Sequence, residues 1–511
     1  MKRLPYIVSI FILLALSSSC DDFLEEETRG ILAPSNFFNN DEEAIIAVNG
    51  VYRHFTFTQL YGNFTRGLFK ATQYGADDYG LSRTFGPMPL VENYTISETD
   101  NGFLRDTWTA FYRAISDANV VIENVSGNTN LSEQTRNRAE GEAIFLRSLA
   151  YYHLTNIFGD VPYITSVLSL SEATSLGREE VSVVRQGIIA DLTDVENRNL
   201  LSEASNATQV TRVSIWAAKA LKAKVALWEG EWQIAFTTCE DIINNSQHSL
   251  MANYEDVFKV SDLDDLSANT EVIFAFDWLS GVSNRQALDA FNPRIADEPE
   301  DPAENDALVA ALAANGDAFT GTGALVCLPD FEAEHPDDLR KASNIMRDYE
   351  GIILNFAYSR KLGNINDAQS PRFQSGDLAI VLRLGDVYLM AAEAANELGN
   401  ASAVDYINAI RARAYEPDQP LSGLSQGDLR QAIRDERRWE LAGEGQRRYD
   451  LIRWGILVET VRGLSAYPYE KVGATGADNI QERHDRLPIP AEELLLNPNL
   501  LLSDPTNNGY R

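Results

Sequence analysis

The strongest constraint on this chain is a helical hairpin that its apolar periodicity writes twice. Val213, Trp216, Ala217, Ala220, Leu221, Val225 and Trp228 recur at three- and four-residue spacing, which places them on one helix face. Glu229-Gly230-Glu231 breaks the pattern. A second apolar face follows in Trp232, Ala235, Phe236, Cys239, Ile242 and Ile243, and Asn244-Asn245-Ser246 ends it. The design returns with Leu382, Leu384, Val387, Tyr388, Met390, Ala391, Ala394 and Ala395, a stop at Leu398-Gly399-Asn400, then Ala403, Val404, Tyr406, Ile407 and Ile410. Small Ala residues let neighbouring helices approach closely, and the Gly permits a tight reversal.

Both units resemble the tetratricopeptide repeat, although neither carries its full consensus. Leu104 to Val125 and Arg136 to Phe158 have the length and pattern to join the same array. The expectation is a mainly α fold of about four tetratricopeptide-like helix pairs with a few short strands, its pairs separated in sequence and not forming a contiguous solenoid. At 511 residues and 44% apolar content the chain is long enough for one large domain or two closely packed ones.

Two stretches have another character. Residues 62–100 are rich in Gly, Thr, Asn, Asp and aromatics without a sustained period. Residues 271–375 open with the β-prone run Glu271-Val272-Ile273-Phe274-Ala275-Phe276 and continue as a long segment dense in Pro, Gly and Asp. An interior region of that length without regular pattern is usually functional or disordered, and its scattered Phe, Tyr and Leu argue against disorder. It reads as a loop-rich, irregular ligand-binding subdomain inserted between a helical region at 31–270 and another at 376–511.

The N-terminus speaks to location. Lys2 and Arg3 precede an apolar run from Tyr6 to Leu16, and Ser17-Ser18-Ser19-Cys20 follows. The run is about half the ~20 residues of a spanning helix. This arrangement resembles a bacterial lipoprotein signal, with Leu16 four places before the Cys where the usual pattern has Leu three places before. The resemblance implies a signal peptide at 1–19 and lipid attachment at Cys20; an ordinary secretory signal is the alternative. Asp21-Asp22-Phe23-Leu24-Glu25-Glu26-Glu27 lies in an acidic tether, 20–30.

A net charge of −32 disfavours nucleic acid and anionic headgroups as partners. Cys239 and Cys327 are the remaining cysteines, able to pair in an oxidising compartment or to remain thiols; Cys239 sits in a helical pattern and reads as a small buried hydrophobe. The five histidines, His54, His153, His248, His335 and His484, never fall at metal-ligand spacing. No phosphate loop or nucleophile elbow occurs. The expectation is no catalytic residue, no cofactor and no metal.

The C-terminal third carries a longer signature. Asp435-Glu436-Arg437-Arg438-Trp439-Glu440-Leu441-Ala442-Gly443-Glu444-Gly445-Gln446-Arg447-Arg448-Tyr449-Asp450-Leu451-Ile452-Arg453-Trp454-Gly455 resembles the hallmark of SusD/RagB proteins. Leu487-Pro488-Ile489-Pro490, Asn497-Pro498-Asn499-Leu500 and Asn508-Gly509-Tyr510 are similar to that family's ending, and Arg383 to Ala394 and Ile407 to Arg413 to its inner helices. The resemblance implies a non-enzymatic lipoprotein of the Bacteroidetes outer membrane, anchored by lipid alone and facing outward. It implies capture of a glycan for a SusC-like TonB-dependent transporter. A peptide-binding relative or a protein-binding scaffold are the alternatives.

Within the hallmark, Arg434, Arg437 and Arg438 alternate with Asp435, Glu436 and Glu440 at i±3 reach, which favours an ion-pair network over an anion site. Ligand contacts are expected instead from aromatics outside the helical period, where a ring face meets the apolar face of a sugar. These are Tyr74, Tyr79, Phe85 and Tyr94, with Asp77, Asp78, Arg83 and Asn93 beside them, and Trp278 at the mouth of the second irregular region. Trp216, Trp228, Trp439 and Trp454 sit at helical spacing and are expected in the core.

Overall fold

The computed structural model describes residues 37–56, 60–62, 68–82, 88–99, 101–203, 210–259, 269–278, 288–363, 378–465 and 476–511. Cys20, the signal, the acidic tether, Arg83 and Phe85 lie outside the described residues.

Nine principal helices are named here: α1 (Asp41–Thr56), α2 (Asn101–Val125), α3 (Glu133–Phe158), α4 (Val181–Asn197), α5 (Ile215–Glu229), α6 (Trp232–Asn245), α7 (Leu384–Glu397), α8 (Ala403–Ala414) and α9 (Gln426–Glu440). Their ends follow local chemistry. Ser132, Ser214 and Ser425 cap α3, α5 and α9, each hydroxyl accepting from a backbone N–H three residues on. Gly230 closes α5 at φ +69°, which allows Glu231 N–H to return to Ala226 O and start α6 immediately.

The helices form one unbroken line of neighbours: α2 on α3, α3 on α4, α4 on α5, α5 on α6, α6 on α7, and α7 on both α8 and α9. The mainly α fold of paired helices expected from the sequence is present. The array is interrupted in sequence between α6 and α7 but continuous in space, because the buried Cys239 and Ile242 of α6 and Ala391 and Ala395 of α7 belong to the same core. Helix α3 lies at the centre and is buried on every side from Ala139 to Phe158. Helices α1 and α4 were not anticipated. Gly187 lies inside α4, where it reads as a breaker, yet its missing Cβ makes room for the ring of Tyr163.

Among the described residues, three two-stranded antiparallel sheets complete the fold. Strand β2 (Val272–Phe276), the anticipated one, pairs with β6 (Ala379–Arg383). Strand β1 (Tyr79–Leu81) pairs with β3 (Leu325–Cys327) in the register Tyr79↔Cys327, which joins the two irregular regions. Strands β4 (Met346–Tyr349) and β5 (Ile352–Tyr358) form a hairpin. The second irregular region has a small core of its own, built from Leu308, Leu312, Phe319, Val326, Met346, Tyr349, Leu354 and Tyr358. Cys239 and Cys327 are buried free thiols, so the disulfide does not form. Among the described residues no helix is long and apolar enough to cross a membrane.

Candidate functional site

The two irregular regions meet over the hallmark segment, and charge fixes the join. Arg447 grips Asp77 with Nε at 2.6 Å and Nη2 at 2.8 Å, and Arg438 Nε lies 3.0 Å from the same carboxylate. The turn after α9 then presents backbone donors: Gly443 N–H reaches Asp78 Oδ2 at 3.0 Å and Gly445 N–H reaches Gln73 Oε1 at 3.2 Å. Both glycines have φ above +70°, and a Cβ on Gly443 would strike Leu362. Ala76 and Tyr94 pack with Leu451, Leu457, Val461 and Ile480, so the first irregular region shares its core with the C-terminal region.

A second ring of charge lies beneath. Glu440 is fully buried and accepts from Arg383 Nη1 at 2.8 Å, Arg340 Nη1 at 3.2 Å and Arg413 Nη2 at 2.5 Å. Arg383 also reaches Glu271 and Glu444, and Glu436 holds Arg340 and Arg411. Burial alone would raise the Glu440 carboxyl, but the three guanidinium groups hold it far below its usual range. Lys361, 2.8 Å from Glu444, is pushed down to about 8, first by burial.

The hallmark is thus a structural network, with one change from the sequence reading. Within α9, among the described residues, Arg434, Arg437 and Arg438 form no ion pair with Asp435, Glu436 or Glu440, while Arg453 and Asp450 do pair at i+3 further along. Arg437 pairs with Asp386 and Asp450, Arg438 with Asp77 and Glu334, and Arg434 lies 5.0 Å over the Trp454 ring. Buried charge needs partners in a fixed geometry, which facing elements supply better than exposed neighbours on the same helix.

The sequence-predicted ligand residues are interior. Tyr74, Asp77, Asp78, Tyr79, Asn93, Tyr94 and Trp278 are all buried. Tyr79 stands edge-on to Phe291 at 5.3 Å and donates its hydroxyl to Asn344 O at 2.8 Å. Tyr94 bonds Gly75 O at 2.5 Å, and Trp278 donates to Thr56 O at 2.9 Å. The aromatic residues among them, expected as ligand contacts with Asp77, Asp78 and Asn93 beside them, are thus packed in the interior and do not form an open platform. Trp216 and Trp439 are core as expected, while Trp228 and Trp454 are half-buried under Arg185 and Arg453.

Two open grooves were not legible in the sequence. One, of about 700 Å³, lies within the second irregular region between residues 296–306 and Asn355. Glu300, Asp306, Asn305 and Asn355 line it, a set of hydrogen-bond acceptors and amides suited to hydroxyls, with no aromatic ring among its walls. Beneath it Glu298, buried and raised by that burial, accepts from Tyr358 Oη at 2.6 Å. The other, of about 460 Å³, lies between α1 and α3.

This helical array with a loop-rich cap and a hallmark ion-pair network defines a class, and sequence comparison places the chain in it. The family described as "SusD family" matches residues 348–510, and "Starch-binding associating with outer membrane" matches residues 87–227. SusD-like protein P25 of Formosa agariphila is 39% identical over 100% of both chains, and the Starch-binding protein SusD of Bacteroides thetaiotaomicron is 23% identical over 78% of this chain and 77% of its own. The chain belongs to the SusD family. Among solved structures, a laminarin binding SusD-like protein is similar at TM-score 0.70 and 25% identity, covering 90% of this chain and 98% of its own. Surface glycan-binding protein A from Bacteroides fluxus, at TM-score 0.73 and 18% identity over 89% of this chain and 96% of its own, shares the fold.

Proposed function

We propose that the protein is a lipid-anchored receptor of the outer membrane that captures a glycan outside the cell and passes it, uncleaved, to a SusC-like TonB-dependent transporter. The observation that carries this reading is full-length similarity to SusD-like proteins, with a laminarin binding SusD-like protein among the similar solved structures. The grooves support it in kind, since carboxylates and amides orient sugar hydroxyls. Arg83 and Phe85 remain the ligand contacts expected from the sequence.

A lipid on Cys20 cannot move a ligand across a membrane, so a separate channel must accept it. Held at the membrane by that lipid, the body would act as a lid over the channel. Calorimetry of the purified protein against an oligosaccharide panel tests capture. Binding in the micromolar-to-millimolar range is expected, roughly −4 to −8 kcal/mol. New reducing ends after long incubation would make it a hydrolase. Recovery of the protein alone in repeated gentle pull-downs from solubilised outer membranes would remove the transporter.

A further inference from the structure

We propose that the groove between α1 and α3 is a separate subsite for an acidic sugar, reading one oxyanion, a uronate carboxylate or a sulfate ester, carried on the ring. The inference rests on the glycan reading above and extends it to charged residues of the glycan.

Ile45, Val48 and Ala139 give the groove an apolar wall, with Ile45 44% exposed, and its only charged lining residues are Arg138 and Arg212. In a chain of net charge −32 that is a local reversal of sign. Both guanidinium groups are held by one carboxylate, Glu142, which is wholly buried: Arg138 Nε donates to it at 2.8 Å and Arg212 Nε at 3.3 Å. Asp277 also acts on Arg212 through space, so the donors left open in the groove are those of Arg138.

The two arginines divide the work. Arg212 spends its donors on Glu142 and on Asn49 Oδ1 at 2.5 Å, and lies flat over Tyr52 at 4.4 Å. It is a fixed wall. Arg138 commits Nε alone; its side chain is 52% exposed, and Nη1 and Nη2 have no partner among the described residues. A guanidinium pinned through Nε keeps its Nη1–Nη2 edge free as a planar fork, which matches an oxyanion bidentately. The N-terminal end of α3 is already met by Asp41, whose carboxylate accepts from Ser132 N–H at 2.8 Å and Ser132 Oγ at 2.6 Å, so the open fork of Arg138 is what the groove offers an anion.

Size and charge together select the ligand class. A volume of about 460 Å³ suits one or two sugar units, within the roughly 300–1,000 Å³ of small-molecule sites. The apolar wall fits the C–H face of a ring, and the one open guanidinium fork fits an isolated carboxylate or sulfate better than a polyphosphate, which the net charge repels.

Isothermal titration of the full protein and of Arg138→Gln tests this with three probes: a hexuronate oligosaccharide, a sulfated oligosaccharide and a neutral glucan oligosaccharide. Acidic binding should weaken at least fivefold in Arg138→Gln, and whichever acidic probe responds names the group. The unfolding midpoint and the response to neutral sugar should hold, because Arg212 still neutralises Glu142. Ile45→Glu, on the exposed wall, should weaken the same acidic probe by repulsion. Equal acidic binding in the wild type and Arg138→Gln overturns the subsite, as does a wild type that binds only neutral sugar. A wild type that binds no sugar of any kind defeats the glycan reading, and the subsite with it.

Discussion

Gly443 donates its backbone N–H to Asp78 Oδ2 at 3.0 Å across 365 residues of sequence. This one bond ties the turn after the Arg-rich helix to the acidic pair of the first irregular region. The position admits only glycine, since φ is +73° and a Cβ would collide with Leu362 and come within 3.1 Å of the Tyr79 ring.

Gly443→Ala should therefore cost about 3 kcal/mol, from left-handed backbone strain of roughly 1–2 kcal/mol plus the overpacking. Gly423 is the control: its φ is +68° but nothing lies within 4 Å of an added Cβ. Gly423→Ala should lose only the backbone share, about 1 kcal/mol. Urea titration of both variants checks the difference, and equal losses would show that the contact with Leu362 relaxes freely.

Tyr79 is a core residue in an irregular stretch, and its substitutions should behave accordingly. Tyr79→Ala should lower stability by about 3–5 kcal/mol through the cavity it leaves. Tyr79→Phe keeps the ring but removes the bond to Asn344 O and should lose about 1 kcal/mol. Thermal melts decide it; a Tyr79→Ala midpoint equal to that of the wild type would return the ring to the surface.

Glu440 neutralises three arginines at once. Glu440→Ala should cost about 3–5 kcal/mol, because Arg340, Arg383 and Arg413 would remain buried with less anionic charge than they need. The yield of soluble protein and its denaturation midpoint report the loss.

Glu92 gives the pH signature. Its carboxyl is buried against the backbone N–H groups of Gly75 at 2.9 Å and Leu81 at 3.4 Å, and burial pushes it up to about 7. A raised carboxyl binds its proton more tightly when folded. Its contribution is fully present below the unfolded value of about 4.5 and is lost as pH rises through 7. Wild-type stability minus that of Glu92→Gln should fall across pH 4.5 to 7 by about 3 kcal/mol and then level off. Asp386, held below its usual range by Lys224 and Arg437 against the cost of burial, acts in the opposite sense at acid pH and is common to both proteins. Denaturation curves at five pH values check the slope, and parallel profiles would refute the assignment.

Cys20→Ala should release the protein from the membrane fraction or leave its signal uncut. Membrane fractionation with mass spectrometry of the N-terminus reads the outcome. A variant that stays anchored and normally processed would show that the lipid is not on Cys20.

Some of the molecule was legible in order of residues alone. Helices α2, α6, α7 and α8 follow from three- and four-residue apolar spacing, which helix packing imposes directly on the sequence, and α3 and α5 show the same spacing although they are buried nearly all round. The hallmark run was legible as a network rather than an anion site. The burial of Tyr74, Tyr79, Tyr94 and Trp278 was not, because a residue without a periodic neighbourhood carries no sign of which side faces water.

The sequence by itself determined the helical hairpins, their glycine stops, the family signature and the acidic balance of the chain. Only the tertiary structure decided which carboxylate each arginine meets, that the helical line closes across the insertion between α6 and α7, and that β1 and β3 sew the two irregular regions together. The reason is physical. Helix periodicity is a contact between residues three or four apart, so sequence records it. The bonds of Asp78 to Gly443 and of Asp77 to Arg447 span more than three hundred residues, and their geometry exists only once the intervening chain has packed.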